Sequence, residues 1–148
     1  MPERESGTNN AVELLGVMDP QKKIDTCEEW TRWRFRSLVC CLALVGFGKV
    51  RVICGQRTFE EQCALYGQGR SADEMAVIGV SGGYAKPDKP RVTWLDPRYS
   101  AHVVGRAIDV DWSEYLATNH LGVRDVCRQL GITWGGGWSV RDYAHFEI

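Results

Sequence analysis

Two short alternating segments, "RAIDVDW" (106–112) and "AHFEI" (144–148), constrain the fold of this chain most. Strict alternation has a period of two, so each segment reads as a half-buried strand with one apolar face. In the first, Ile108, Val110 and Trp112 share the apolar face, while Ala107, Asp109 and Asp111 share the other. In the second, Ala144, Phe146 and Ile148 point inward, with His145 and Glu147 on the reverse. His102 stands at the entrance of the first strand, and Asp142 lies three residues before His145. The polar groups of the two strands converge if the strands are sheet neighbours.

The remaining pattern predicts a mixed architecture. Residues 1–10 read as a polar, flexible tail and 11–148 as a single domain. A helix is expected from about Asp19-Pro20 to Val45, closed by Gly46 and Gly48. "KVRVICG" reads as a strand ending at Gly55, and Thr58 with Glu61 forms a capping box that opens a helix running to about Gly67. From Gly69 to Tyr99 the chain reads as one long irregular loop, a length that tends to be functional. A further helix is expected from Ser113 to Leu130, stopped by Gly131, and "ITWGGGW" gives a short strand and a glycine turn. Helices and short strands without regular βαβ alternation predict an α+β fold, a small antiparallel sheet flanked by helices.

Composition excludes several classes. The net charge of −1, from 18 basic and 19 acidic residues, leaves no footprint for nucleic acid or an anionic membrane. The run "LVCCLALVGFG" at 38–48 is about half of what a bilayer span needs and is expected as a buried core helix, so no stable membrane insertion is predicted. Six cysteines, two of them adjacent and none in a C-x-x-C, are expected as reduced thiols of a cytosolic chain. The polar start "MPERESGTNN" does not read as a secretory signal, so another agent is expected to deliver the protein if its substrate lies outside the cell.

His102, Asp109 and His145 have the composition of a catalytic zinc site, two imidazoles and a carboxylate with one position open. Such an ion activates water and polarises a carbonyl, and a nearby carboxylate then moves the proton. The turn before His145 can bring Asp142 beside the metal without making it a ligand, and Glu147, on the same face as His145, is a rival base or a support for that ring. No H-E-x-x-H is present, and His120 reads as an ordinary helix-start residue. From spacing alone, a metal site and a set of ordinary polar edge residues both remain open.

The motifs carry a resemblance. "SAHVVGRAID" has every fixed position of S-x-H-x-x-G-x-A-x-D, namely Ser100, His102, Gly105, Ala107 and Asp109. "DYAHFE", "CGQRTFEEQ" and "WGGGW" are similar to three further motifs in the same order. Over about residues 45–148 the chain resembles the zinc peptidases that include D-alanyl-D-alanine carboxypeptidases, D-Ala-D-Ala dipeptidases and phage L-alanyl-D-glutamate endopeptidases. The resemblance implies one zinc ion on His102, Asp109 and His145, with Asp142 as general base and then acid. It also implies that Arg57 holds a substrate carboxylate or the oxyanion; a guanidinium at a strand-to-helix turn suits that role independently. Ser100 ranks below these as a substrate-binding residue, and Gly105 reads as structural. Gln56, where relatives often have an aromatic, and Val103 and Val104, in place of a commonly polar or aromatic pair, depart from the pattern and are expected to line the cleft.

The function implied is hydrolysis of a peptide bond in the stem peptide of bacterial peptidoglycan by a monomer. An endolysin-type L-alanyl-D-glutamate endopeptidase comes first, acting on the wall after release from the cytoplasm by another factor. A D-alanyl-D-alanine carboxypeptidase or dipeptidase is the alternative. A non-catalytic zinc module of the hedgehog type is a third reading, against which Asp142 and Arg57 speak. With the sequence stopping three residues after His145, targeting is expected from the catalytic surface or a partner.

Overall fold

The computed structural model describes residues 21–44, 50–111 and 113–148, without the side chains of residues 21 and 113–115. The expected tail, the starts and stops predicted at Asp19-Pro20, Val45, Gly46 and Gly48, and Trp112 lie outside the described residues. Helices α1 (Gln21–Ile24) and α2 (Glu29–Leu42) are followed by strand β1 (Val52–Cys54) and helices α3 (Phe59–Tyr66) and α4 (Ala72–Val77). Strand β2 (Ala107–Val110), helices α5 (Ser113–Thr118) and α6 (His120–Leu130), and strands β3 (Thr133–Trp134) and β4 (His145–Glu147) complete the chain. The strands form one antiparallel sheet in the order β1-β2-β4-β3. The predicted α+β class is therefore borne out.

The sheet has two unlike faces. Ile108 and Val110 of β2, Phe146 of β4, Val52 of β1 and Trp134 of β3 are buried together with Phe35, Leu38 and Leu42 of α2 and Val123 and Cys127 of α6. Removing a side chain such as Ile108 or Phe146 from water is worth about 1.5–3 kcal/mol. Pairing of Ile108 with Phe146, and of Phe146 with Trp134, sets the register, and the Trp134 and Phe146 rings stack at 6.2 Å. Because side chains alternate, that register also brings the polar faces of β2 and β4 together.

Three predicted elements differ in detail. The single helix expected to Val45 is broken at 25–28. There the Thr26 hydroxyl donates to the Lys23 carbonyl at 2.6 Å and accepts the Gln56 N–H at 2.9 Å, a tertiary contact that local propensity does not carry. Nor is the run from 38 buried all round: Thr31, Phe35, Leu38 and Leu42 form one buried stripe of α2, while Cys40 on the helix and Leu44 just past its end are exposed. The helix expected from Ser113 to Leu130 is likewise divided at Asn119. Its stop is as read: Gly131 takes φ +64°, and the Ile132 N–H closes onto the Cys127 carbonyl at 2.9 Å.

The 69–99 stretch is not structureless. Ser71 and Glu74 make a reciprocal capping box at the start of α4, the same device that Thr58 and Glu61 make for α3. Single helical turns follow at Gly82–Tyr84 and Pro97–Tyr99. All six cysteines are free thiols, and burial pushes those of Cys27 and Cys127 up to about 11 and about 12. Among the described residues, no helix is long and apolar enough to cross a membrane.

Candidate metal centre and cleft

Asp109 of β2 and His145 of β4 are direct cross-strand partners, so their side chains leave the same face of the sheet side by side. His102 reaches them from the 101–105 turn, which ends at Gly105 with φ +70°. A Cβ on Gly105 would lie 2.9 Å from the backbone nitrogen of Glu28, so both conformation and space require glycine. The turn is anchored to the strand-to-helix corner by the Arg57 N–H, which donates to the His102 carbonyl at 3.1 Å.

Three donor atoms converge. His102 Nε2 and His145 Nδ1 each lie 3.1 Å from Asp109 Oδ1 and 3.2 Å from one another. The outer nitrogen of each ring decides what points inward. His102 Nδ1 faces the Gly55 carbonyl at 2.7 Å, which only accepts, so Nδ1 carries the proton. His145 Nε2 faces Glu147 Oε2 at 2.9 Å and likewise donates. With both rings neutral, two nitrogen lone pairs and a carboxylate oxygen therefore meet with no proton between them. Only a cation satisfies such a triangle, either protons or a metal ion. Tetrahedral zinc with ligands at about 2.0–2.2 Å holds its donor atoms roughly 3.3 Å apart, close to the separations here. The donor set fits such an ion.

Electrostatics agree. Burial works against a charge on His102, but the Asp109 carboxylate and the Cys54 sulfur outweigh it and lift the metal-free imidazole to about 9. For His145, burial is likewise overcome by Asp109 and Glu147, and its pKa rises. Burial would raise Asp109, yet the two histidines and Arg57 hold its carboxyl far below the usual range. The hydrogen bond from His145 lowers Glu147 against the effect of burial.

Cys54 is a further potential ligand that sequence reading did not single out. A bulge in β1, where Val52 pairs with Val110 but Cys54 with Asp109, turns its sulfur toward the polar face. Cys54, His102 and Asp109 form a compact group of potential ligands. The sulfur, however, approaches Nδ1 of His102 at 3.9 Å, the nitrogen already committed to Gly55. The triangle with His145 is therefore the better metal site.

The other predicted residues surround this centre. Arg57 donates to Asp109 Oδ2 at 2.6 Å and to Gln62 Oε1 at 3.3 Å, a use for it that the motif did not indicate. Gln62, part of the same motif but given no role from sequence, is buried and steadies that guanidinium. Asp142 is exposed on the 142–145 turn, where its Oδ1 accepts the Ala144 N–H at 3.2 Å and its carbonyl accepts the His145 N–H at 3.3 Å. It stands beside the triangle and not within it. A cleft of about 240 Å³ joins His102, Asp109, His145, Asp142, Glu147, Arg57 and Ser100, with Val92, Leu95 and Trp138 among its remaining walls. His120 opens α6 and does not line the cleft. Gln56, Val103 and Val104, expected to line it, do not: the Gln56 amide donates to the Val103 carbonyl at 3.2 Å and braces the turn. Of the tryptophans near the motifs, Trp134 is core, Trp138 lies 5.1 Å from the His145 ring, and Trp94 is exposed under Arg91.

A small antiparallel sheet with an aspartate and a histidine on one face, joined by a second histidine from a turn, is the arrangement expected of a metallopeptidase-type centre. Residues 95–148 match the model of a family described as D-alanyl-D-alanine carboxypeptidase. The chain is 30% identical over 106 residues to the peptidoglycan L-alanyl-D-glutamate endopeptidase CwlK of Bacillus subtilis (strain 168). That match takes in 64% of this chain and 57% of the relative's length. Among solved structures it resembles the Serratia marcescens L-Ala D-Glu endopeptidase ChiX, with a TM-score of 0.52 at 19% identity over 89% of this chain and 87% of the other. That likeness is one of fold, and it agrees with the small sheet and flanking helices described above.

Proposed function

We propose that this chain is a zinc-dependent peptidoglycan peptidase that cleaves stem peptides at the L-alanyl-D-glutamyl bond. The observation that carries the reading is the triangle of His102 Nε2, His145 Nδ1 and Asp109 Oδ1, with both outer imidazole protons engaged, opening on a cleft that also contains Asp142. The names of the relative and of the structural neighbour support the choice of bond.

His102, Asp109 and His145 would hold the zinc ion, which when bound polarises a carbonyl and lowers the pKa of a water toward ~7. Asp142 takes a proton from the attacking water and returns it to the leaving amine. Glu147 is engaged by His145 Nε2 and serves to orient that ring, leaving the proton transfer to Asp142. Arg57 fixes Asp109 through Oδ2, and from the cleft wall it steadies a substrate carboxylate or the oxyanion. Ser100 contributes to the substrate-binding wall.

Mass spectrometry of purified peptidoglycan digested by the protein tests the bond. New N-terminal D-glutamate is expected; release of free D-alanine would establish the carboxypeptidase reading instead. Absence of any product with zinc bound would leave a zinc module without activity. Delivery by a separate factor, as for a phage endolysin, belongs to the same proposal. Cells expressing the protein alone should stay intact and lyse once their membrane is permeabilised, whereas lysis without permeabilisation would overturn that part.

A further inference from the structure

The 69–99 stretch contains a buried cation that the chemistry above does not use. Arg70 is only 4% exposed, yet among the described residues no carboxylate pairs with it. Its guanidinium lies 3.6 Å from the centre of the Tyr66 ring, donates to the Tyr66 carbonyl and donates to the Thr93 carbonyl at 2.9 Å. A buried charge without a counter-ion persists only where its N–H groups are well used. Here they tie the end of α3 to Thr93, 23 residues after Arg70 itself.

That segment, 90–95, is not paired in the sheet, although it forms one wall of the cleft through Val92, Thr93 and Leu95. Among the described residues the backbone groups of Val92, Trp94 and Leu95 make no hydrogen bond within the chain. The segment is nonetheless held at several points. The Gly69 N–H donates to the Lys86 carbonyl and the Lys86 N–H to the Gly67 carbonyl, both at 2.9 Å. Arg91 donates to the Gly69 carbonyl at 3.1 Å and pairs with Glu74. The Pro97–Tyr99 turn closes the far end. An unpaired length of backbone that is fixed in place beside a peptidase-type centre is a template for an extended peptide, whose own amides supply the missing partners.

We infer that residues 92–95 form a rail on which the substrate peptide lies extended, and that Arg70 is the positioning residue that holds the rail through the Thr93 carbonyl. This rests on the peptidase reading and adds to it how the peptide backbone is gripped. Arg70 touches neither substrate nor metal, so its effect belongs in substrate binding.

The test is steady-state kinetics of the zinc-loaded protein on a synthetic peptide containing the L-alanyl-D-glutamyl bond with a further residue on each side. Arg70→Met should raise KM at least tenfold, change kcat less than threefold and leave zinc content unaltered, with Arg70→Lys recovering part of the loss. A second arm leaves the protein untouched: each non-scissile backbone amide of the peptide is replaced in turn by an ester. At least one replacement should raise KM fivefold or more. A flat ester series overturns the inference whatever Arg70→Met does, including failure to fold. Absence of hydrolysis of the parent peptide by the wild-type protein would overturn the peptidase reading and this inference with it. Hydrolysis with a flat series overturns this inference alone.

Discussion

Asp109 and His145 face each other across the β2–β4 ladder, with Oδ1 and Nδ1 3.1 Å apart, so the sheet register itself assembles two of the three donors. The third, His102, is added by a turn whose course depends on Gly105. Two donors set by rigid strands and one set by a turn should respond differently to substitution.

Replacing Gly105 with Ala should therefore damage the site indirectly. The positive φ disfavours any side chain, and the new Cβ would crowd the Glu28 nitrogen. A stability loss of more than about 1 kcal/mol is expected, together with weaker metal binding. Chemical denaturation alongside zinc titration checks this. Wild-type stability in the variant would sink the assignment.

The two carboxylates near His145 should separate by kinetics. Glu147→Gln, which disturbs the acceptor of the His145 Nε2 proton, should weaken zinc binding by about 10–100-fold while leaving activity per bound ion largely intact. Asp142→Asn should retain zinc and lose about 10²–10⁴-fold in kcat. The converse pattern would exchange the two roles.

Much of this site was legible in the sequence, because alternation states which residues share a face. Alternation puts Asp109 and His145 on the polar faces of their strands, opposite Ile108 and Phe146, and they occupy those faces. Which strands are neighbours is not carried by alternation, and here it follows from the packing of Ile108, Phe146 and Trp134. Cys54 was not legible at all: a regular strand would turn it to the face of Val52, and only the β1 bulge brings it to the centre. The break before α2 depends on Thr26 meeting Gln56 some 30 residues on, beyond the reach of local pattern. The Ser71-to-Glu74 capping box, by contrast, was present in the sequence and marks α4 by the same rule that marked α3.

Cys54 offers a direct test of which donors matter. Its sulfur adjoins His102 Nδ1, and the Gly55 carbonyl already fixes that proton. Cys54→Ala should accordingly bind zinc with an affinity within about threefold of wild type, whereas His145→Ala should lose at least about 100-fold, equivalent to roughly 2.7 kcal/mol. Measurement of zinc content after dialysis against a weak competitor distinguishes them. Equal losses would make the Cys54, His102 and Asp109 group the metal site instead.

The metal-free protein should show a pH dependence with two opposite limbs. His102 titrates at about 9 in the folded state against 6.5 as its ordinary value, so protonation favours folding. Its contribution is full below 6.5, declines as pH rises toward about 9 and is lost above that. Asp109 works in the other direction. Its carboxyl is held below the ordinary 3.8, so its contribution is present above 3.8 and lost as pH falls through the folded value. Thermal melts in chelator should thus give the highest Tm between roughly pH 4 and 6.5, with a fall on either side. Saturating zinc should raise Tm most at neutral to alkaline pH, where fewer protons compete for the inward nitrogens; at 100 times Kd the gain is about 2.7 kcal/mol. A metal-free Tm that is level from pH 6.5 to 9 would show that His102 and Asp109 do not form the coupled pair described here.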